Sequence, residues 1–256
     1  MQRTQSIHTV RSHAERGNEI SAAARRTNEI GKENPPAMSI HLQREIENLK
    51  KRLLSLCAVV EDQVQRAIEA FLQRDEELAL EVERRDTDVD EREVEVEEDC
   101  LKMLALYQPV ATDLRLIVAV LKINNDLEQI GDLAVNIARK TAAVAAEPPV
   151  NVPVNIAGMW QKVQAMLRDS LDALVGMNTE LAEAVYARDD EVDGMKRAMR
   201  MKIEEASRRQ PELMGRLLKV LAVARNLERI ADYSVNIAED VIYMVKGIIV
   251  RHRGRE

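Results

Sequence analysis

One segment of this chain occurs twice, and the repeat limits what the chain can fold into. Residues 125–138 return as residues 225–238, with apolar positions, asparagine and acids in the same register. Each copy carries one Glu-x-x-x-Asp pair, namely Glu128/Asp132 and Glu228/Asp232. Such self-similarity indicates two structurally similar units. A chain of 256 residues accommodates two domains of roughly 100 residues each.

The composition favours helices packed on helices. Apolar residues make up 46% of the chain, enough for a sizeable core, but aromatic residues make up only 2%. A core of Leu, Val, Ile, Ala and Met suits helical bundles better than a β-sandwich. Charged residues, at 32%, fit long helices with solvated outer faces. We therefore expect an all-α fold of two tandem, pseudo-symmetric antiparallel three-helix bundles.

Apolar spacing and prolines predict three helices in each half. From Ile46 to Phe71, apolar residues recur every three or four positions, which places them in one stripe on a helix with Ser39 as its N-cap. Pro109 and Pro211 interrupt the pattern at corresponding points, and Pro109 is expected in the first turn of the third helix. The predicted helices span about 39–72, 76–106, 109–146, 154–187, 189–209 and 211–249.

Changes in composition and proline-rich segments predict the domain boundaries. Residues 1–37 are polar and predict a disordered N-terminal extension, with a start-site artefact or a regulatory tail as the alternatives. The first bundle is expected at 38–147, a proline-rich linker at 148–153, the second bundle at 154–250 and a C-terminal tail at 251–256.

The acids of the repeat lie on the side of their helix that faces away from the core. At 100° per residue, Leu127, Ile130 and Ile137 cluster on one face, whereas Glu128 and Asp132 fall almost opposite. The second copy has the same arrangement. A further acidic motif recurs near the start of the middle helix of each half, as Asp86/Asp90 and Asp189/Asp193.

Two adjacent helices can therefore present four carboxylates in each half. An all-oxygen ligand set suits hard or borderline cations such as magnesium, manganese, calcium or iron. The predicted metal ligands are Asp86, Asp90, Glu128, Asp132, Asp189, Asp193, Glu228 and Asp232. Two simpler interpretations stay open at this point. The acids can form a solvated face, or Arg115, Arg139 or Arg229 can pair with them and leave no metal.

Several functional classes lack support in the sequence. There is no glycine-rich phosphate loop and no G-x-S-x-G elbow, and the four His residues lie far from the acidic motifs in sequence. The net charge of −7 argues against a nucleic-acid binder. No apolar run is long enough to span a membrane, and no signal peptide is evident. Cys57 and Cys100 are expected as reduced, buried thiols. We expect a cytoplasmic protein, and enzyme motifs are weak throughout its sequence.

The repeated motifs resemble those of the PhoU family. The resemblance rests on residues 108–115, on Leu-Glu-Gln-Ile-Gly-Asp at 127–132, on Leu-Glu-Arg-Ile-Ala-Asp at 227–232 and on residues 236–243. It covers about residues 38–250. It implies tandem three-helix bundles whose acidic motifs bind metal, carried here by the eight acids named above, with iron, manganese, magnesium or zinc as candidates. This chain departs from many relatives in having Tyr233 in place of a His, and its second half has no counterpart to residues 112–115.

The resemblance also implies a regulatory role. PhoU-like proteins work with the phosphate ABC transporter and a sensor histidine kinase, and they repress the phosphate-starvation regulon when phosphate is plentiful. We therefore expect an adaptor between the kinase and the transporter ATPase, itself a homodimer, that meets the membrane only through these partners and binds no nucleic acid. Two alternatives are a metal-dependent hydrolase that uses the paired carboxylates and a metal-binding helical scaffold.

Overall fold

A computed structural model describes residues 37–148 and 154–250. Within these ranges the chain forms eight α-helices, one 3-10 turn and no strand. The helices are α1 (Ala37–Gln73), α2 (Glu76–Arg84), α3 (Asp86–Tyr107), α4 (Ala111–Ala145), α5 (Ile156–Gly176), α6 (Thr179–Tyr186), α7 (Asp189–Arg209) and α8 (Met214–Lys246), and the 3-10 turn is Pro211–Leu213. The predicted all-α fold of two tandem helical bundles is confirmed.

Each half contains a short helix that the sequence analysis did not separate from its neighbour. The predicted helix 76–106 is divided at Arg85 into α2 and α3, and the predicted helix 154–187 is divided at Met177 into α5 and α6. Each half therefore follows one order: a long helix, a short helix, the helix with the first acidic motif, and a second long helix. The short and third helices together occupy the middle position of the three-helix bundle.

The two breaks before the short helices have the same local cause. Arg74 and Met177 both adopt left-handed backbone, with φ of 60° and 48°. The next residue then caps the short helix: Asp75 accepts a hydrogen bond from Leu78 N at 3.0 Å, and Asn178 accepts one from Leu181 N at 3.1 Å. Because neither left-handed residue is a glycine, only the capping side chain marks the break in the sequence.

Three predicted helix ends are wrong by a few residues. Helix α1 already includes Ala37, so Ser39 lies inside the helix and is not its N-cap. Val110 is the N-cap residue of α4, so Pro109 precedes the helix and is not in its first turn. The last helix ends at Lys246, where Gly247 adopts a φ of 68° and its N–H donates to Tyr243 O at 2.9 Å. A left-handed glycine of this kind closes a helix.

The predicted apolar stripes form the core. Every stripe residue of α1, from Ile46 to Phe71, is buried, and so are the core-side residues of both repeat copies. One continuous cluster of buried side chains joins both halves. Cys57 and Cys100 are buried, as predicted, and they form no disulfide with each other. The two bundles therefore share a core rather than standing as separate units.

Helices α4 and α8 join the halves in an antiparallel pair, and they contact each other more than any other two helices. Three contacts between them fix the register. Lys122 Nζ lies 3.0 Å from Asp240 Oδ1, the Tyr233 hydroxyl lies 3.3 Å from Gln129 Oε1, and Lys219 Nζ lies 2.9 Å from Ala143 O. As the residue number rises along α4, it falls by the same amount along α8. This register places Gly131 opposite Ala231, which are equivalent positions of the repeat, so the duplication is expressed as local twofold symmetry.

Some predictions fall outside the described residues. The predicted disordered extension lies outside them except for Ala37, the predicted linker lies outside them except for Pro148, and the predicted tail 251–256 lies wholly outside. The proposed domain boundaries therefore stay predictions. Among the helices described, none combines the length and the apolar character needed to cross a membrane.

Candidate functional site: two acidic clusters

The structure brings the four predicted acids of the first half together. Asp86 and Asp90 lie in the first turns of α3, and Glu128 and Asp132 lie one turn apart on α4, which packs against α3. We call these four residues the first acidic cluster. Their charges act on one another, since the pKa of Glu128 is raised first by burial and then by Asp132, Asp90 and Asp86, against a hydrogen bond from Gln129 that lowers it.

A buried glutamine lies beside the first acidic cluster. Gln63 on α1 is only 4% exposed, and its Nε2 donates to Asp86 Oδ1 at 3.1 Å. Burial raises the pKa of Asp86, and Asp90 and Asp132 raise it further, although the hydrogen bond from Gln63 opposes the rise. The other amide atom, Gln63 Oε1, is buried and has no hydrogen-bond partner within the described residues. It lies 3.5 Å from the position that a Cβ on Gly131 would take.

The acidic surface continues along α3 beyond the first acidic cluster. Burial raises the pKa of Glu93, and the charges of Glu97, Glu128 and Asp90 raise it further. Asn124 holds Glu93 in place, because its Nδ2 donates to Glu93 O and to Glu93 Oε1, both at 2.9 Å. Glu93 and Glu97 also line an open cleft of about 470 Å³ between α3, α4 and α8. The first half thus carries more closely spaced negative charge than the repeat motifs alone indicate.

The four predicted acids of the second half also lie near one another, and we call them the second acidic cluster. Asp189 and Asp193 lie in the first turns of α7, and Glu228 and Asp232 lie one turn apart on α8. The pKa of Asp232 is raised to about 6, first by burial and then by Glu228, Asp189 and Asp193, whereas Lys196 lowers it. The backbone arrangement matches that of the first acidic cluster.

The second acidic cluster contains a cation of its own. Lys196 Nζ donates to Asp193 Oδ1 at 3.1 Å and also to Glu228 Oε1. Glu228 keeps only 18% of its side chain exposed. Burial lowers the pKa of Lys196, but its hydrogen bonds and its attraction to Glu228 and Asp193 outweigh burial, so the pKa lies above its ordinary value. The ammonium group is therefore held in its charged form between the two helices that carry the acids.

The three arginines proposed as alternative partners of the acids have other contacts. Arg139 Nε lies 3.2 Å from Glu83 Oε2, outside the first acidic cluster. Arg229 Nη2 donates to the Tyr233 hydroxyl at 3.4 Å, and Arg115 Nη2 donates to Thr112 Oγ1 at 3.3 Å. Arg139 still lowers the pKa of Asp86 through space. Two basic residues that do pair with predicted acids were not among the candidates: Lys196, with Asp193 and Glu228, and Arg197, with Asp193.

A hydrogen-bonded path connects the two halves next to the acids. The Tyr233 hydroxyl donates to Gln129 Oε1 at 3.3 Å, and Gln129 Nε2 donates to Glu128 Oε2 at 2.7 Å. Tyr233 directly follows Asp232 of the second acidic cluster, in the position where the sequence analysis noted a departure from relatives. The tyrosine therefore links the second repeat segment to a member of the first acidic cluster.

Within residues 37–148 and 154–250, no three His, Cys, Asp or Glu side chains are arranged so that together they could hold a metal ion. The eight predicted metal ligands therefore stay a prediction. Sequence reasoning missed two residues that matter here, Gln63 and Lys196. Gln63 is a polar residue on the buried face of α1, between Val60 and Val64, and Lys196 stands where the first half has Glu93. Both signals become visible when Asp86 and Asp90 are aligned with Asp189 and Asp193.

Comparison with known proteins identifies the family. The sequence matches the PhoU domain twice, at residues 53–141 and 156–241. It is 38% identical over 212 residues to an Aquifex aeolicus protein named phosphate-specific transport system accessory protein PhoU homolog, which covers 83% of this chain and 96% of the relative. The crystal structure of PhoU from Pseudomonas aeruginosa superposes with a TM-score of 0.79 at 34% identity, over 80% of this chain and 99% of that one.

A second solved structure agrees. The phosphate transport system regulatory protein PhoU from Streptococcus pneumoniae superposes with a TM-score of 0.74 at 26% identity, over 82% of this chain and 99% of that one. Fold and site define the chain as a protein of two tandem helical bundles, each with one acidic cluster at the same place. It belongs to the PhoU family, which confirms the resemblance seen in the sequence.

Proposed function

We propose that this protein regulates phosphate uptake and phosphate-starvation signalling. The observation that carries the proposal is the double match to the PhoU domain, which extends over both halves of the fold. The Aquifex aeolicus relative is named as an accessory protein of a phosphate-specific transport system, and it aligns over nearly its whole length. A role as an accessory regulator needs no catalytic centre, and we propose that the protein is not an enzyme.

We further propose that the protein acts in the cytoplasm as a homodimeric adaptor. Its partners are the ATPase subunit of the phosphate transporter and a sensor histidine kinase, and its effect is to repress the phosphate regulon when phosphate is plentiful. The acidic surface of α3 supports a docking role, since unneutralised carboxylates attract basic surfaces of partner proteins and steer their approach.

We also propose that the first acidic cluster binds a metal ion. The donor set fits a hard divalent cation, because Asp86, Asp90, Glu128 and Asp132 offer only oxygen ligands. The buried Gln63 Oε1, which has no partner among the described residues, offers another oxygen beside them. Without a cation, four like charges hold one another apart.

A gene deletion tests the regulatory proposal. We expect a strain without this gene to express a phosphate-starvation reporter in high phosphate, and a plasmid copy of the gene to restore repression. Normal repression in the deletion strain would contradict the proposed role. Affinity capture of the transporter ATPase and of the kinase on the purified protein tests the adaptor claim separately, and failure to retain either partner would leave a regulator that acts by another route.

A further inference from the structure

We propose that the two acidic clusters of this chain are not equivalent. The first binds a divalent metal ion with the help of the Gln63 side chain, and the second holds the ammonium group of Lys196 in place of a metal ion. The inference rests on the proposed metal binding by the first acidic cluster. It extends that proposal by assigning different cations to two sites that the repeat makes look alike.

On the side that faces the core, Gln63 distinguishes the first acidic cluster from the second. Its amide group lies between the two helices that carry the acids, with Nε2 on Asp86 and Oε1 close to Gly131, the neighbour of Asp132. A buried amide oxygen without a partner costs free energy, and a metal ion beside Asp86 would offset that cost by accepting it as a ligand. The alignment that matches the acidic motifs places Met166 at this position of α5, where it is fully buried and offers no oxygen.

On the side that faces solvent, Lys196 distinguishes the second acidic cluster from the first. It reaches from α7 to Glu228 on α8 and bonds Asp193 on its own helix, so its charge lies among the carboxylates. A divalent cation at the same place would have to displace a hydrogen-bonded ammonium group and would meet its positive charge. The aligned residue in the first half is Glu93, a carboxylate, so the charge at this position is reversed between the halves.

Among the described residues of the first half, 37–148, no basic side chain is hydrogen-bonded between two carboxylates of the acidic cluster as Lys196 is in the second half. Arg92, the neighbour of Glu93 on α3, turns toward α1 and donates to Ser55 Oγ at 2.6 Å. Arg139 pairs with Glu83. The first acidic cluster therefore depends on a cation from solution, and the second does not.

Metal analysis of matched variants tests the inference. Purified full-length protein is equilibrated with Mn²⁺, and bound manganese per chain is measured by elemental analysis after gel filtration. We expect Asp132→Asn to lose most of the bound manganese and Asp232→Asn to keep it.

Gln63→Met, which copies the second half, should weaken Mn²⁺ binding roughly 10-fold or more, as loss of a supporting oxygen ligand does. Gln65→Met, an exposed glutamine on the same helix, should leave it unchanged.

Lys196→Met is the complementary variant, and we expect it to bind additional manganese at the second acidic cluster. Equal loss of manganese in Asp132→Asn and Asp232→Asn would overturn the inference while leaving metal binding intact. No manganese on the unmodified protein would overturn both the inference and the metal proposal, and the reporter assay would still decide the regulatory role.

A measurement on the unmodified protein removes any dependence on how the variants fold. Mn²⁺ broadens the NMR signals of nearby amides. We expect broadening of the amides around Asp90 and Glu128, with the amides around Asp193 and Glu228 unaffected at the same manganese concentration. Broadening of both groups to the same degree would contradict the inference.

Discussion

The two acidic clusters occupy the same place in the two halves but differ in what neutralises them. Both lie between the helix that follows the short helix and the long helix after it, with two carboxylates from each. In the second acidic cluster, Lys196 bonds carboxylates from both helices. In the first acidic cluster, the aligned residue is Glu93, whose own pKa is raised by burial and by the acids around it. The reversed charge at this position, together with an exposed ion pair between Arg197 and Asp193 at 3.5 Å, distinguishes the second acidic cluster from the first.

The difference teaches that a duplicated fold can keep its backbone while its halves acquire different electrostatics. Partly buried carboxylates without a cation weaken the folded state, and a paired ammonium group offsets part of that repulsion. On the assignment proposed above, the first acidic cluster has affinity for a cation at the expense of the stability of the metal-free protein, whereas Lys196 stabilises the second without a ligand.

The largest expected effect follows removal of the lysine. In metal-free buffer with EDTA, Lys196→Met should lower the free energy of unfolding by about 2 kcal/mol, since charged hydrogen bonds to partly buried carboxylates are lost. Urea denaturation followed by circular dichroism measures the change. Lys162→Met is the control, because Lys162 makes only an exposed ion pair, at 2.9 Å from Glu191, and its loss should cost less than about 0.5 kcal/mol. Equal stability of Lys196→Met and the unmodified protein would show that the ammonium group does not neutralise the second acidic cluster.

The equivalent glutamates should respond with opposite signs. Without metal, Glu128→Gln should stabilise the protein by less than about 1 kcal/mol, because it removes a charge that Asp132, Asp90 and Asp86 repel and that solvent screens in part. Glu228→Gln should destabilise it by about 1 kcal/mol, because the new amide loses its charge attraction to Lys196. The same urea experiment compares both variants, and a shift of the same sign in both would mean that the two clusters are electrostatically alike.

Much of the fold was visible in the sequence because it depends on periodicity. Apolar spacing of three and four placed the core faces of α1, α4 and α8, and every stripe residue named for α1 is buried. The short helices were harder, since α2 ends at a break at Arg85 whose backbone stays right-handed, and α6 starts after the left-handed Met177, which is not a glycine. The sequence marked the break before the short helix in the first half and the break after it in the second. Aligning the two halves would have predicted the missing break in each.

The site was predictable only in part. Helical spacing correctly placed the carboxylates on one side of α4 and α8, but the neutralising groups depend on tertiary contacts. The arginines named as candidates lie near the motifs in sequence, but so does Lys196, three residues after Asp193. Its contact with Glu228, across the gap between two helices, comes from packing and not from sequence spacing. Gln63 comes from α1, and its proximity to Asp86 follows from the packing of the bundle rather than from any local motif.

A smaller effect is expected in the pH dependence of the second acidic cluster. The pKa of Asp232 is raised to about 6 in the folded protein. A raised carboxyl pKa contributes stability that is fully present below the unfolded value near 3.8 and is lost as the pH rises through 6. Asp232→Asn should abolish this loss, so the stability of the variant relative to the unmodified protein should increase between pH 4 and pH 6.5.

Solvent on the exposed side of Asp232 should keep that change well below the ~1.4 kcal/mol that a full pKa unit represents. Urea midpoints measured in EDTA across the pH range provide the test. A difference between variant and unmodified protein that stays constant with pH would show that Asp232 titrates as an ordinary carboxyl group.

The smallest expected effect compares the glycines of the two halves. A Cβ on Gly131 would lie 3.2 Å from Val89 Cγ1 and 3.5 Å from Gln63 Oε1, whereas a Cβ on Gly194 would meet nothing within 4 Å. Replacing a helical glycine by alanine gains up to about 1 kcal/mol of helix propensity. Gly194→Ala should realise most of that gain.

In Gly131→Ala, crowding of Val89 should cancel the gain, so its stability should stay within about 0.5 kcal/mol of the unmodified protein. The same methyl group crowds the Gln63 amide, so Gly131→Ala should bind Mn²⁺ more weakly although its stability is nearly unchanged. Ala231 already carries this methyl group at the equivalent position, where Met166 needs no such room for an amide. Calorimetric titration with Mn²⁺, with Gly194→Ala as the control, tests this. Unchanged Mn²⁺ affinity in Gly131→Ala would show that Gln63 is not a metal ligand and that only the four carboxylates of the first acidic cluster bind the ion.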